Sequence, residues 1–220
     1  MNPHHFWQEI LAPADDAHAF GGFYPARFDD GRILRLPVRP LADGEHALAS
    51  LIINQASFAV LDAIAADLAA KLAALAPEVI VGLPTLGLTL ASAVAQKLGH
   101  ARYVPLGTSR KFWYDDALCV SLSSVTTPEH ARRLYIDPRM LPLLQGRRVM
   151  LIDDVISSGT SIAAGISLLD LCGIAPAAIG TAMLQSERWR QRLDPSRYHL
   201  TTVLRSPILR KTPAGMWVES

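Results

Sequence analysis

The sequence predicts an α/β fold: a parallel sheet flanked by helices, carrying a small N-terminal hood. Three short apolar runs, Val79–Val81, Arg147–Ile152 and Ala177–Leu184, lack the polar alternation of a half-solvated strand and read as strands covered on both faces. Stretches of helical period follow the first two runs and stop at Gly99 and Gly173, where a residue without a Cβ ends a helix cheaply. Half of the 220 residues are apolar and 19% are charged, which fills a core and excludes a largely disordered chain.

In chain order, residues 23–38 read as a hairpin whose turn, Asp29-Asp30-Gly31, has the positive-φ residue a short connection needs. Pro25 and Pro37, which cannot donate to a ladder, point to edge positions. An Ala-rich segment from Glu45 to Ala76 reads as helix, with a break near Asn54–Ser57. Its apolar residues Phe58, Leu61, Ala65, Leu68, Leu72 and Leu75 recur at threes and fours as one buried stripe. The strand Val79–Val81, a Gly/Pro/Thr turn and a helix Gly87–Leu98 follow, then a strand Arg102–Leu106. Residues 107–146 are polar and turn-rich, more than a compact domain needs as a connector, so they read as a loop that is either mobile or functional. Strand Arg147–Ile152, helix Thr160–Leu171, strand Ala177–Leu184 and a last strand Thr201–Leu204 complete the pattern. The expected organisation is a hood at 1–44, a core at 45–205 with a flexible loop at about 107–135, and a tail at 206–220.

Composition excludes several roles. A net charge of +1 forces no basic surface for nucleic acid. The oiliest stretch, Val79–Ala95, is broken by Gly82, Pro84, Thr85, Gly87, Thr89 and Ser92, so no transmembrane span is expected. The first ten residues lack the basic and apolar regions of a secretory signal. Cys119 and Cys172 are too few for a disulfide scaffold and lack metal-ligand spacing, which fits a reducing cytoplasm. The seven histidines form no ligand cluster.

The chemistry is concentrated in VMLIDDVISSGTS, residues 149–161. A buried strand carries Asp153 and Asp154 to its carboxyl end, where ligands sit in open α/β sheets. The N–H groups and hydroxyls of Ser157, Ser158, Gly159, Thr160 and Ser161, together with the positive end of the following helix dipole, form an anion cradle sized for phosphate. Two carboxylates beside that cradle repel the phosphate itself and need another partner. Sugar hydroxyls suit them, as does a positive charge developing on a sugar ring. A ribose 5-phosphate site is the simplest reading. Receiver domains carry such an acidic pair near the N-terminus without this loop, and haloacid-dehalogenase phosphatases need Asp-x-Asp. Simple helix capping does not account for two acids plus five small residues.

This motif resembles the signature of the type I phosphoribosyltransferases, and the likeness extends over about residues 45–185. It implies that family's Rossmann-like core, 5-phosphoribosyl 1-pyrophosphate (PRPP) as substrate, Mg²⁺ held by PRPP and water rather than by protein ligands, and a homodimer. Asp153 and Asp154 then hold the ribose hydroxyls, and residues 157–161 hold the 5-phosphate. GLPTLGLTLA is similar to the family's pyrophosphate turn, which implies that Leu83, Pro84, Thr85, Leu86 and Gly87 meet the leaving group. Arg110 and Lys111 resemble the Arg-Lys pair that opens the family's catalytic loop, and so are expected to neutralise departing pyrophosphate. Trp113 and Tyr114 on that loop, Val155 after the acids and Trp189 are candidates for contact with the base. The implied reaction moves 5-phosphoribosyl from Mg-PRPP to a nitrogenous base and releases pyrophosphate and a nucleoside 5-monophosphate. A purine acceptor is favoured, because LRLPVRPLADG is distantly similar to an N-terminal segment of adenine phosphoribosyltransferases and the second loop lysine of the orotate enzymes is absent. The alternative is a PRPP-binding regulator of the same fold without catalysis.

Overall fold

A computed structural model of the protein describes residues 2–14, 18–122 and 132–220. The hairpin is present: β1 (Phe23–Arg27) pairs antiparallel with β2 (Ile33–Pro40), and Gly31 turns between them at φ 86°. Then β3 (His46–Ala49), α1 (Phe58–Ala73), β4 (Val79–Gly82), α2 (Gly87–Lys97) and β5 (Val104–Pro105) follow. A short hairpin, β6 (Cys119–Ser121) with β7 (Arg133–Tyr135), leads through α3 (Leu141–Leu144) to β8 (Val149–Ile156) and α4 (Thr160–Leu171). The chain closes with β9 (Ala178–Gln185), β10 (His199–Ser206), β11 (Ile208–Lys211) and β12 (Trp217–Glu219).

Two five-stranded sheets result. The core sheet, in the order β10-β9-β8-β4-β5, is parallel throughout. Its apolar strands separate two layers. On one face α1 and α2 bury Ile64, Leu68, Leu72, Leu90 and Val94 against Met150 and Ile152. On the other, α4 buries Ile162, Ile166 and Leu169 with Leu83, Leu151 and Leu134 of the β6–β7 hairpin. The chain leaves β4 for β5 on one side, then crosses to β8 and continues outward to β9 and β10. The reversal point therefore lies between β4 and β8, and α/β sheets open their ligand crevice there.

The second sheet, β1-β2-β3-β11-β12, is built from both ends of the chain. Residues 206–220, expected as a tail, thus supply two strands of the hood, with Leu209↔Ala47 and Lys211↔Trp217 in register. The helix expected from Glu45 is also corrected: His46–Ala49 is a strand held between β2 and β11, a long-range pairing that overrides the helical preference of an Ala-rich segment. Helix α1 starts later, where the Ser57 hydroxyl accepts the Val60 N–H at 3.2 Å. Phe58 consequently falls in the first turn and is 90% exposed; the buried stripe is Val60, Ile64, Ala65, Leu68, Ala69 and Leu72. Strand β5 is shorter than expected, because β4 offers partners only to Val104 and Pro105.

The hood shares its apolar interior with the α1/α2 layer, so Phe20, Tyr24, Leu36 and Trp217 pack in one core with Leu68 and Ile152. The Gln185 amide at the end of β9 donates to the Ala49 carbonyl at 2.7 Å and ties the two sheets together. Of the loop expected at 107–135, residues 123–131 lie outside the described residues. The remainder is anchored by the β6–β7 pair and by reciprocal backbone bonds between Gly107 and Tyr135. Among the described residues, no helix is long and apolar enough to cross a membrane.

Candidate active site

Strand β8 runs to Ile156, four residues past its expected end, because β9 continues to pair with it through Ile156↔Leu184. On the opposite side β4 stops pairing at Gly82↔Ile152. Asp153 and Asp154 occupy the stretch of β8 that has lost one neighbour, at the mouth of the β4/β8 crevice.

Asp153 is 6% exposed, Asp154 is half-buried, and neither forms an ion pair among the described residues. The Asp154 N–H donates to Asp153 Oδ1 at 2.9 Å, and the Thr181 hydroxyl donates to the Asp154 carbonyl at 2.9 Å, which fixes the backbone of the pair. Burial and then the neighbouring Asp154 carboxylate push the Asp153 carboxyl well above the usual aspartate range. Burial raises Asp154 as well, opposed by the Asp153 side chain and by backbone N–H groups. Two desolvated acids without a cation form a site of unsatisfied negative charge. Hydroxyl donors or a nearby positive centre would relieve it.

This arrangement fixes a sign for the pH dependence of stability. A carboxyl whose folded-state pKa lies above its ordinary 3.8 binds more protons in the folded chain. Its stabilising share is therefore complete at low pH and is lost as pH rises through the raised folded value. Asp153→Asn is expected to remove that slope. In urea unfolding from about pH 4 to about pH 8, the wild type should lose stability relative to the variant as pH rises. Parallel curves for the two proteins would overturn the assignment.

The turn after β4 reaches over this pair. A Cβ on Gly87 would lie 2.8 Å from Asp153 Oδ1 and 2.9 Å from Asp153 Cα, so only glycine permits the approach. The turn contains a cis peptide between Pro84 and Thr85. Leu83 departs from expectation: its side chain is buried and its N–H donates to the Ile152 carbonyl at 2.9 Å. Pro84 has no N–H, which leaves Thr85, Leu86 and Gly87 as the donors this turn can aim at an anion.

The loop Ser157–Ser161 borders a cavity of ≈ 120 Å³ that it shares with Asp153 and Val155, so the first acid of the pair and the cradle meet in one space. Gly159 takes φ 79°, ψ 0° immediately before α4, and a Cβ there would press on the Trp189 carbonyl at 3.1 Å. The Ser158 and Thr160 hydroxyls lie 3.0 Å apart and bond to each other. Val155 is half-buried on β8 beside Met183.

The other expected residues are placed differently. Trp189 is 2% exposed, inside the α4 core, with its backbone against Gly159; it supports the loop from behind and does not line an open base pocket. The Arg110 guanidinium is paired with Asp116 on its own segment, at 2.5 and 3.0 Å. Lys111 is exposed and makes no ion pair among the described residues. Trp113 Nε1 donates to Asp137 at 3.2 Å, and the Arg139 guanidinium stacks over its ring. The Arg139 guanidinium first, then the Arg139 backbone N–H and the Trp113 hydrogen bond, hold the Asp137 carboxyl down at about 2 against its partial desolvation. Tyr114 packs between Trp113 and Tyr135. No contact among the described residues joins this aromatic group, Arg110 or Lys111 to the acidic pair.

One feature absent from the expectations is cationic. Arg188 Nη2 donates to Ser157 Oγ at 3.0 Å, and Arg192 Nη1 donates to the Ser158 carbonyl at 3.3 Å. The run RWRQR after β9 was the available signal, since the carboxyl end of β9 adjoins that of β8.

Comparison with known proteins places the site in context. The family described as phosphoribosyl transferase domain matches residues 48–213. No curated protein matches the chain. Among solved structures, the fold is similar to adenine phosphoribosyltransferase from Thermoanaerobacter pseudethanolicus at TM-score 0.61 and 18% identity, covering 77% of this chain and 95% of the other. It is also similar to the Giardia lamblia enzyme complexed with 9-deazaadenine, at TM-score 0.58 and 22% identity over 77% and 93% of the two chains. The Saccharomyces cerevisiae enzyme, complexed with adenine and an imino-altritol bisphosphate, aligns at TM-score 0.58 and 19% identity over 77% and 94%.

Proposed function

The chain belongs to the phosphoribosyl transferase domain family, and on that premise we propose that it transfers 5-phosphoribosyl from Mg-PRPP to a purine base, releasing pyrophosphate and a nucleoside 5-monophosphate. The observation that carries the reading is the shared cavity: buried Asp153, with Asp154 next to it on β8, and a hydroxyl-rich loop at a helix start border one space at the sheet's reversal point. A pentose phosphate is the ligand whose parts match both. The adenine and deazaadenine bound by the yeast and Giardia enzymes support a purine as acceptor.

In the proposed mechanism, residues 157–161 hold the 5-phosphate while Asp153 and Asp154 accept the ribose hydroxyls. As the bond from C1 to pyrophosphate loosens, positive charge grows on the ring, and the acids favour it through a poorly screened medium. The donors of Thr85, Leu86 and Gly87 receive the leaving pyrophosphate, and the base attacks C1 from the opposite side. Arg110 and Lys111 join only if their segment moves, which for Arg110 means exchanging Asp116 for phosphate oxygens. Among the described residues, no cluster of three metal-ligating side chains exists, and magnesium entering on PRPP oxygens and water needs none. Magnesium brought in with PRPP would offset charge on the pyrophosphate, and the carboxylates of Asp153 and Asp154 would take sugar hydroxyls or waters as their partners.

The test is pyrophosphate release from Mg-PRPP across a panel of purines and pyrimidines. Release with one or more purines is expected. Release with pyrimidines alone would overturn the acceptor class, and PRPP binding without release for any base would replace the transferase by a PRPP-binding regulator.

A further inference from the structure

The cradle at residues 157–161 offers hydroxyls and N–H groups but no formal positive charge, and Asp153 borders the same cavity. A phosphate monoester carries close to two negative charges at neutral pH, so neutral donors beside a carboxylate leave it poorly compensated. The segment after β9 contains the missing charge. Of its three arginines at 188, 190 and 192, Arg190 is already committed, paired with Glu187 and stacked on Trp189. Arg188 and Arg192 have no acidic partner among the described residues, and each donates to the loop itself.

We infer that Arg188 is the cationic ligand of the sugar 5-phosphate, acting together with the Ser157–Ser161 loop. This rests on the ribose-phosphate reading of that loop. By donating to Ser157 Oγ, the guanidinium leaves the Ser157 hydroxyl hydrogen free to donate onward to a phosphate oxygen. The bond uses one donor of the guanidinium fork, and the others stay available for a charge-assisted contact with the same anion. Arg192, bonded to the Ser158 carbonyl, adds positive potential from the other flank and restrains the loop. The Trp189 backbone against Gly159 sets both arginines at a fixed distance from the cradle.

The inference is tested by calorimetric binding of ribose 5-phosphate, with pyrophosphate as the second probe, to the wild type, Arg188→Gln, Arg188→Lys and the control Arg205→Gln, an exposed arginine on β10. Arg188→Gln is expected to weaken ribose 5-phosphate by roughly 10- to 100-fold, the usual cost of losing a charge-assisted hydrogen bond, and to leave pyrophosphate binding unchanged. Arg188→Lys, which retains the charge but not the fork, should fall between, and Arg205→Gln should match the wild type. Unaltered ribose 5-phosphate binding in Arg188→Gln, or equal loss for both probes, would overturn the inference while leaving the site reading intact. A wild type that binds neither ribose 5-phosphate nor PRPP would overturn the site reading itself, and Arg188's role with it. Arg188 is exposed, so its substitution leaves the core intact, and a thermal midpoint for each variant checks this.

Discussion

Asp154→Asn lowers the rate of pyrophosphate release from Mg-PRPP and base by roughly 10²–10³-fold, the range found when one preorganised electrostatic group is removed from a reacting centre, while the thermal midpoint stays level or rises. The two halves of this expectation have one cause. Burial raises the pKa of Asp154, so holding its charge costs the fold something, and an isosteric amide removes that cost. The backbone around it is fixed by bonds that asparagine keeps: its N–H to Asp153 Oδ1 and its carbonyl from the Thr181 hydroxyl. Local geometry therefore survives, and what disappears is the negative charge facing the ribose. A steady-state rate within about threefold of the wild type would remove Asp154 from the reaction. A fall in midpoint matching the fall in rate would instead make its role architectural.

Gly87→Ala is the second large effect, and it acts through shape. In an exposed helix interior, replacing Gly by Ala gains up to about 1 kcal/mol. At Gly87 the added carbon meets the Asp153 main chain at 2.9 Å and its carboxylate at 2.8 Å, a clash with backbone that no rotamer relieves. Overpacking of this kind costs about 1–3 kcal/mol, so the clash outweighs the propensity gain and net stability should fall. The relaxation that remains is for the 83–87 turn to lift away from β8, which separates the pyrophosphate donors from the acids. Displacement by about 1 Å is enough to cost about 10²-fold in rate. Denaturant unfolding and kcat/KM measured on the same preparation check both parts. An alanine variant as stable and as active as the wild type would show that the turn does not bear on Asp153.

Much of the site was legible because its parts are contiguous. Residues 149–161 carry strand, acids, loop and helix start in one stretch, so short-range rules sufficed to find Asp153, Asp154 and the cradle. The glycine before α4 could be read as the loop's close-approach residue, and its φ of 79° fits that role. The same locality explains the failures. His46–Ala49 has the composition of a helix and became a strand because β11 arrives from more than 150 positions away. Trp189 read equally as a pocket aromatic or as a packing residue, and local rules could not choose; its ring fills the α4 core, since burial depends on what the rest of the chain places around it.

What the sequence determined by itself, then, was the parallel core, the acidic pair followed by a phosphate-sized loop, and membership of a fold class; each depends on neighbours within a dozen residues. Tertiary structure alone decided that both chain ends weave one hood sheet, that Leu83 is packed while Gly87 touches Asp153, and that Arg188 and Arg192 flank the loop. Those facts join residues from about 30 to more than 160 positions apart, and a contact of that span is set by how the sheet orders its strands, which local side-chain preference does not encode.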